Sequence, residues 1–297
     1  MEDILILLLG KCNEIKNGVI MVKVTFVKVG YIGATTLIDA LLDERASRKN
    51  VSVRVVSSGC KMDENEALEV AKLAASIPSD LYVVVSPNAA LPGPLAVRES
   101  LKETGKSIIV VSDEPSKKIR KELAERGIGY IIIYADPMIG ARQEFLDPVE
   151  MALFNSDVLR VLAVTGVIRL IYSEIDRVIT QLDKEEEPQL PQVTVDKETA
   201  LQYSGLGNPY AIGKAMASFE TARRVSSLST EGTWKVEERE RYLSILSGAH
   251  ELMRQAALMA DEAREVAKAN DSVARVVHIR SGALRKKTKL LDKLTKQ

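Results

Sequence analysis

Short apolar strand patterns alternate with helical patterns between Met21 and Asp147, and few folds accommodate this alternation. The strand patterns are rich in β-branched and aromatic residues, as in the run Tyr130–Tyr134. Alternation at this pitch is typical of βαβ units and a mainly parallel, doubly wound sheet. The predicted strands cover residues 22–29, 51–57, 80–86, 107–111 and 129–134, and the predicted helices cover 34–47, 63–76, 94–104 and 115–126.

The pattern changes after Asp147 to long stretches of helical periodicity. These predict helices over 148–184, 209–229 and 238–270, with a short hairpin at Ser229–Glu237 around Trp234. The predicted fold class is therefore α/β, with a Rossmann-like, mainly parallel sheet followed by a helical half with a small β element. The predicted divisions are an extension from an upstream start (1–20), a Rossmann-like domain (21–147), a helical region (148–274) and a basic tail (275–297).

The charge distribution argues against nucleic acid as the main partner. The 297 residues include 41 basic and 41 acidic side chains. Residues 275–297 hold eight Lys or Arg against the single acid Asp292, which leaves 33 basic and 40 acidic residues elsewhere. A body with this acidic excess is a poor match for a polyanion. We expect the basic tail to be solvated and partly disordered.

The few cysteines and histidines exclude several kinds of site. Cys12 and Cys60 are the only cysteines, and His250 and His278 are the only histidines. Neither a disulfide framework nor a four-cysteine zinc site can be built from them, and a His-rich metal centre is disfavoured. We therefore predict no metal and a reducing, cytoplasmic location.

The first twenty residues give no sign of membrane targeting. The apolar run Ile4–Leu9 is far shorter than the ~20 residues that cross a bilayer. Glu2 and Asp3 before it have the wrong charge for a signal peptide. Because Met21 opens a strand that leads into a glycine turn, we expect it to be the functional start. A genuine extra N-terminal element is the alternative.

The loop after the fifth predicted strand is the most informative part of the chain. It contains Arg142, Glu144 and Asp147, and Pro148 opens the helical pattern that follows. Open α/β sheets bind ligands beyond the carboxyl ends of their strands. We therefore predict that this charged loop takes part in ligand chemistry. A solvated cluster of salt bridges is the alternative.

The loop after the first predicted strand suits an anion, because Gly30, Gly33 and Thr35 offer backbone N–H groups and a hydroxyl at a helix start. A plain tight turn is the alternative. The G-x-G-x-x-G fingerprint is incomplete, since Lys28 stands where its first glycine is required. NAD is thus disfavoured, whereas Lys61 would allow the 2′-phosphate of NADP.

The loop after the third predicted strand contains Pro87 and Asn88 among three prolines, which limit its backbone freedom. Such a rigid loop suits recognition of a planar heterocycle.

Asp113, after the fourth strand, is interpreted as a helix cap. His250 and Glu251 lie in the last long helix, where a packing role for the histidine is the alternative. Without a Ser-His-Asp order or a P-loop, hydride transfer to a bound carrier is the remaining class of chemistry.

Several long motifs show a resemblance to a known family. The chain resembles the coenzyme F420-dependent methylenetetrahydromethanopterin dehydrogenases of archaea, collinearly over about Met21–His278. The matching stretches are LLDERA (Leu41–Ala46), PNAALPGP (Pro87–Pro94), ADPMIGARQEFLDPVEMALFNSD (Ala135–Asp157), NPYA (Asn208–Ala211), AHE (Ala249–Glu251) and KANDSVARVVH (Lys268–His278).

The resemblance implies reversible hydride transfer from 5,10-methylenetetrahydromethanopterin to the oxidised 5-deazaflavin of coenzyme F420. The pterin product is the methenyl cation, and the reaction belongs to archaeal one-carbon metabolism and methanogenesis. The resemblance also implies a homohexamer built from dimers. F420 would be a dissociable cosubstrate, with no metal, flavin or NAD, and the helical region would hold substrate and subunit contacts.

The resemblance also implies roles for the candidate residues. Asp147 and then Glu144 would stabilise the cationic product, while Arg142 would orient a carboxylate or pair with a substrate acid group. The expected deazaflavin contacts are Gly30, Gly33, Thr35, Pro87 and Asn88. The expected pterin contacts are Asp147, His250 and Glu251.

One departure leaves other functions open. The family often has Cys-Gly-Asn where this chain has Val29-Gly30-Tyr31, so carrier contacts there are expected to differ. The alternatives are an NADP-dependent dehydrogenase of the same pterin, and a non-catalytic paralogue that binds deazaflavin or pterin. A further alternative is that the basic tail attracts the polyglutamyl end of the carrier, or RNA, by charge.

Overall fold

The computed structural model describes residues 21–43 and 48–296. The predicted extension at 1–20, the end of the predicted helix 34–47 and the second half of the LLDERA motif lie outside the described residues.

Six strands form one parallel sheet in the order β2-β1-β3-β4-β5-β6. This confirms the predicted mainly parallel α/β fold. β6 is absent from the sequence prediction because it has only four residues and lies at the sheet edge. The strands are β1 (Val22–Lys28), β2 (Val51–Ser57), β3 (Leu81–Ser86), β4 (Ser107–Asp113), β5 (Gly129–Ile133) and β6 (Gln192–Val195).

The helices become longer after β5. They are α1 (Ile38–Asp43), α2 (Glu64–Ala75), α3 (Pro92–Lys102), α4 (Arg120–Glu125), α5 (Pro148–Thr165), α6 (Val167–Asp183), α7 (Lys197–Gln202), α8 (Pro209–Thr230) and α9 (Arg239–Ala269). Short 3-10 helices cover Gly33–Thr36, Glu114–Ile119 and Gln143–Phe145. None of the helices in the described ranges is both long and apolar enough to cross a membrane.

The two faces of the sheet have separate hydrophobic cores. Val24 and Phe26 of β1 pack in a core with α5, α6, α8 and α9, whereas Val27 faces a second core with α2, α3 and α4. This alternation follows from the two-residue period of a strand. The long helices therefore cover one face of the sheet and reach the edge where its strands end.

The predicted helix over 148–184 is wrong as a single element, because it breaks at Gly166. This residue has a φ of +98°, and a side chain there would clash with the carbonyl of Ala200. Only glycine adopts this conformation without strain. The break creates α5 and α6 and lets α7 approach the backbone closely.

The predicted hairpin at Ser229–Glu237 is also wrong. Residues Glu231–Lys235 form a π-helical turn that continues α8, and we call this turn the π segment. Val236 N donates to Glu231 O over 3.1 Å, which closes the wider turn. The β-branched and aromatic pair Thr233-Trp234 is typical of strands, but the helical context overrides it.

The expected disorder of the tail is wrong for residues 275–296. They form an antiparallel sheet of β7 (Arg275–His278), β8 (Leu284–Lys287) and β9 (Thr295–Lys296), which is the small β element of the fold. His278 Nε2 lies 2.9 Å from Asp176 Oδ2, and Arg48 Nη1 lies 2.7 Å from the other oxygen of that carboxylate. This buried cluster attaches the small sheet to α6.

Candidate active site

A cavity of about 360 Å³ lies at the carboxyl ends of β3 and β4. We call it the ring cavity. One wall comes from the loop after β3, and the other comes from α8 and the π segment. It is lined by Met62, Pro87, Asn88, Leu91, Asp113, Pro115, Met138, Ser226, Ser229, Thr230 and Trp234. A largely apolar cavity with a few convergent polar groups is typical of a small-molecule site.

The loop after β3 (Pro87–Leu91) and the first turn of α3 are held rigidly beside the ring cavity. Ala89 N donates to Ser116 Oγ over 2.8 Å and to Ser112 Oγ over 3.2 Å. The buried guanidinium of Arg98 donates through Nη1 to the carbonyls of Ala89 and Pro94. These bonds fix the position of Asn88, one of the predicted contacts.

Gly30 allows the loop after β1 to approach the ring cavity. It has a φ of +79°, and a Cβ there would lie 2.5 Å from Met62 Sδ and 3.0 Å from Pro87 Cδ. A larger residue would push both side chains into the cavity. Gly30 is thus placed behind two lining residues, Met62 and Pro87.

The turn at Gly33 and Thr35 already binds a carboxyl group of the protein itself. Asp136 Oδ2 accepts a hydrogen bond of 3.0 Å from Ala34 N, and Thr35 Oγ1 accepts one of 3.1 Å from Ile32 N. Burial raises the pKa of Asp136 to about 7. Since Gly33 and Thr35 are buried in this turn, their contact with a carrier stays a prediction.

Asp113 at the end of β4 lines the ring cavity although its residue surface is only 2% exposed. Ser226 Oγ donates to its Oδ2 over 3.1 Å, whereas Oδ1 has no hydrogen-bond partner among the described residues. Its side chain makes no capping bond to the following 3-10 helix. Burial, followed by the nearby charge of Asp136, raises its pKa well above the ordinary value.

Asp147 caps the N-terminus of α5. Its Oδ2 accepts hydrogen bonds from Val149 N over 2.9 Å and from Glu150 N over 3.1 Å. The side chain is exposed, so its second oxygen faces solvent at the start of the helix. A structural role is therefore combined with an accessible negative charge.

Glu144 pairs with α9 rather than with the other predicted catalytic residues. Its Oε1 lies 3.1 Å from Arg239 Nη2 and accepts a bond of 3.3 Å from the Tyr242 hydroxyl. A hydrogen bond from its own backbone amide, followed by Arg239, lowers the pKa of Glu144. The carboxylate is thus ionised near neutral pH.

Arg142 braces the π segment. Its Nε donates to Gly232 O over 3.2 Å and its Nη2 to Val236 O over 2.8 Å. The guanidinium lies over the Tyr242 ring, 4.3 Å from the centroid. Among the described residues its hydrogen bonds go to backbone carbonyls, so Arg142 holds in place the π segment, which carries Trp234.

His250 lies between two aromatic rings at the start of α5. The ring centroids of Phe145 and Phe154 are each 4.9 Å from that of His250. Its Nδ1 lies 3.3 Å from Glu150 Oε2, while Nε2 is buried without a hydrogen-bond partner among the described residues. Burial lowers the pKa of His250, so the imidazole is neutral at pH 7. Glu251 is exposed on α9.

The predicted residues thus fall into two neighbouring groups. Pro87 and Asn88 line the ring cavity, with Gly30 behind it, whereas Asp147 and His250 lie at the start of α5. We call the second group the carboxylate rim, defined by Asp147, Glu150 and His250, which are joined by hydrogen bonds, together with the flanking carboxylates Glu144 before α5 and Glu251 beside His250 in the chain. The loop from Met138 to Asp147 joins the two groups, because Met138 lines the cavity.

Of the eleven residues that line the cavity, the sequence interpretation named only Pro87 and Asn88 as site residues. Asp113 follows a predicted strand, which is a usable signal, and Trp234 is the only tryptophan. Met62 and Ser226 carry no sequence signal, because tertiary packing alone brings them to the cavity. In residues 21–43 and 48–296, no group of three or more His, Cys, Asp or Glu side chains is arranged to bind a metal.

The fold and the ring cavity define an α/β protein that binds a ligand where the strands of its parallel sheet end. The chain belongs to the family described as methylene-5,6,7,8-tetrahydromethanopterin dehydrogenase, whose sequence profile matches residues 22–295. This confirms the family resemblance read from the motifs.

Individual relatives agree over nearly the whole chain. The F420-dependent methylenetetrahydromethanopterin dehydrogenase of Archaeoglobus fulgidus is 50% identical over 273 residues, which cover 92% of this chain and 99% of that protein. The enzyme of the same name from Methanothermobacter thermautotrophicus is 43% identical with the same coverage. A solved F420-dependent methylenetetrahydromethanopterin dehydrogenase, in complex with methylenetetrahydromethanopterin and coenzyme F420, matches with a TM-score of 0.90 and 40% identity over 93% of this chain and 100% of that one.

Proposed function

We propose that the protein catalyses reversible hydride transfer between 5,10-methylenetetrahydromethanopterin and coenzyme F420 in archaeal one-carbon metabolism and methanogenesis. The observation that carries this proposal is the near-complete structural likeness to an enzyme solved with both reactants, at a TM-score of 0.90. The ring cavity supplies a suitable place for the carrier at the end of the parallel sheet.

The ring cavity fits a planar heterocycle. Met62, Leu91 and Met138 provide apolar walls, while the side chain of Trp234 is 67% exposed at the rim. Asn88 offers an amide from a loop that is already rigid, so little conformational entropy is lost on binding. When bound, F420 supplies a deazaflavin ring that accepts the hydride. This chain's residues orient that ring and exclude water around it.

A second cavity of about 410 Å³ is continuous with the first, and we call it the basic groove. The two share Pro115, Ser226 and Thr230. The cations of the basic groove are Lys117, Arg223, Arg224 and Lys235. Arg224 and Lys235 are exposed and have no ion pair among the described residues. We propose that the groove binds the phosphodiester and carboxylates of the carrier tail, since the turn at Gly33 is occupied by Asp136.

The carboxylate rim is proposed to face the pterin. Loss of hydride leaves a cation on the pterin, and fixed carboxylates stabilise charge that develops in the transition state. Asp147 and Glu144 are the proposed stabilising groups, with neutral His250 and Glu251 as contacts. Arg142 is proposed to position the rim by bracing the π segment.

We also propose that the chain forms a homo-oligomer, with the hexamer of dimers that the resemblance implies. Three apolar residues at the start of α5 support this, because Leu146, Val149 and Leu153 are 42%, 64% and 51% exposed. Apolar residues that are exposed together mark contact surfaces. Light scattering on the purified protein measures the oligomer. The proposed location is the cytoplasm, as the few cysteines of the chain suggest.

The test is a spectrophotometric assay with methylenetetrahydromethanopterin and either oxidised F420, NADP or NAD. Bleaching of the deazaflavin in the first reaction alone is the expected result. Fluorescence of Trp234, the only tryptophan, reports carrier binding independently of turnover. Turnover with NADP alone would show that NADP, and not F420, accepts the hydride. Quenching by F420 without turnover would indicate a binding protein instead of an enzyme.

A further inference from the structure

We propose that Asp113 is a catalytic hydrogen-bond donor, which contacts the pyrimidine-dione part of the bound deazaflavin through its Oδ1 as a neutral carboxylic acid. This inference rests on the proposed function. It assigns the polar contact in the ring cavity that stabilises the carrier as it accepts the hydride.

The geometry leaves one carboxyl oxygen of Asp113 without a hydrogen-bond partner among the described residues. The residue is 2% exposed and ends β4 at the cavity. Oδ2 accepts the hydrogen bond from Ser226, while Oδ1 is buried without a partner among the described residues. A buried polar atom without a partner is costly, so such atoms are rare unless a ligand or water satisfies them. The free oxygen belongs to a residue that lines the cavity.

The surroundings favour the protonated acid. Burial raises the pKa of Asp113 well above its ordinary value, and the charges of Asp136 and Glu114 add to this effect. The hydrogen bonds from the Glu114 backbone and from Ser226 act in the opposite direction but do not outweigh burial. The nearby cations do not oppose it, because Lys117 and Arg223 both pair with Glu114, at 2.9 and 3.3 Å. Since Oδ2 already accepts a bond from Ser226, the proton is placed on Oδ1.

The reaction needs a donor of this kind. A C–H bond of the methylene group breaks with its electron pair, and a C–H bond forms on the ring carbon of the deazaflavin. The reacting ring system of the pterin, neutral before the transfer, becomes the methenyl cation, and the neutral deazaflavin ring becomes an anion whose charge spreads over its pyrimidine-dione nitrogen and oxygen. A hydrogen bond to these atoms strengthens as the charge grows. An ionised carboxylate there would repel it, whereas a neutral acid held in an apolar site donates. Asp113 keeps its proton throughout.

Two substitutions separate donation from charge. Asp113→Asn keeps a donor and an acceptor of nearly the same shape, whereas Asp113→Ala removes both. We expect Asp113→Ala to lower kcat by about 30-fold or more and Asp113→Asn to lower it by less than about fivefold, because loss of one such donor costs on the order of 100-fold. The matched control is Asp80→Asn, at the opposite end of β3, where the carboxylate accepts from Lys23 N over 2.8 Å.

Quenching of Trp234 measures F420 binding by each variant, and circular dichroism reports whether each one folds. If Asp113→Asn loses as much activity as Asp113→Ala while binding F420 normally, the ionised form is required and the proposal is wrong. Normal turnover by Asp113→Ala would also overturn it.

If Asp113→Ala does not fold, the pH profile decides. The wild-type kcat is then expected to fall at high pH as Asp113 ionises, whereas the kcat of Asp113→Asn should not show this decrease. The same decrease in both proteins would reject the proposal. Absence of turnover in the wild type would refute the proposed function itself. Quenching of Trp234 would still show whether the wild type binds F420.

Discussion

Asp136 Oδ2 lies 3.0 Å from the backbone nitrogen of Ala34, a residue 102 positions earlier in the chain. The bond joins the end of β5 to the turn after β1, although β3 and β4 separate these strands in the sheet. A Cβ at Gly33 would lie 2.9 Å from the other carboxyl oxygen. The absence of a side chain at Gly33 thus leaves the space that the Asp136 carboxyl group occupies.

This arrangement predicts an unusual dependence of stability on pH. The pKa of Asp136 is about 7 in the folded protein, against an ordinary value of 3.8. Between these values the folded state holds a proton that the unfolded chain has lost, so the free energy of unfolding decreases as pH rises. The steepest slope expected from one proton is about 1.4 kcal/mol per pH unit. Urea unfolding at pH 5, 6, 7 and 8 measures it.

Asp136→Asn should make the free energy of unfolding fall less steeply with pH while retaining an acceptor for Ala34 N. A remaining slope is expected, because the raised pKa of Asp113 contributes one of the same sign and the lowered pKa of His278 contributes one of the opposite sign. The control is Asp196→Asn at the cap of α7, where a carboxylate of lowered pKa accepts from Thr199 N. A lowered pKa contributes stability that is lost only as pH falls, so this variant should keep the slope between pH 5 and 7. An unchanged slope in Asp136→Asn would place the titration elsewhere.

Arg98→Met should loosen the Pro87–Leu91 loop and the start of α3. It removes the donors to the carbonyls of Ala89 and Pro94, and an unsatisfied buried acceptor costs about 1–3 kcal/mol. We expect the KM for F420 to rise at least fivefold because Asn88 loses its fixed position. Steady-state kinetics at saturating pterin measure this change.

The matched control is Arg126→Met, because Arg126 is partly exposed and pairs with Glu99 and Glu122. Surface pairs contribute about 0–1 kcal/mol. If both variants raise the KM equally, the effect is general destabilisation and not positioning of the loop.

Much of this fold follows from local sequence patterns. The β-branched runs predict β1 to β5 because a buried parallel strand has few other possible compositions. The helix break at Gly166 and the π segment are different, since both depend on neighbours distant in the chain. The ring cavity is likewise predictable only in part. Pro87 and Asn88 lie in a loop whose prolines are visible in the sequence. Ser226, by contrast, meets Asp113 across 113 residues of sequence.

The basic groove should bind the anionic tail of the carrier. The double substitution Arg224→Ala with Lys235→Ala is expected to raise the KM for F420 about 5- to 10-fold with kcat nearly unchanged, since neither residue lies in the ring cavity. Added salt should raise the wild-type KM and affect the variant less. The control is Lys286→Ala with Lys289→Ala in the exposed tail sheet. A larger KM effect in that control would move the tail-binding site to residues 275–296.

Asp176→Ala should release the small C-terminal sheet. The carboxylate bonds both Arg48 and His278, and removal of one partner from a buried ion pair costs about 3–5 kcal/mol. We expect a loss of this size in the free energy of unfolding, with faster proteolysis after residue 274. The exposed pair partner Asp261, 4.0 Å from Arg160, is the control, and Asp261→Ala should cost under about 1 kcal/mol. Equal losses would show that the buried cluster has no special role.

Asp147 combines a helix cap with a proposed catalytic charge, and two substitutions separate these roles. Asparagine is as good an N-cap as aspartate, so Asp147→Asn should leave the free energy of unfolding within about 0.5 kcal/mol of the wild type. Asp147→Ala loses the bonds to Val149 N and Glu150 N and should cost about 1 kcal/mol. If the charge stabilises the pterin cation, both variants lose at least tenfold in kcat. Full turnover by Asp147→Asn, with only Asp147→Ala less stable, would leave Asp147 as a cap alone and move the electrostatic role to Glu144.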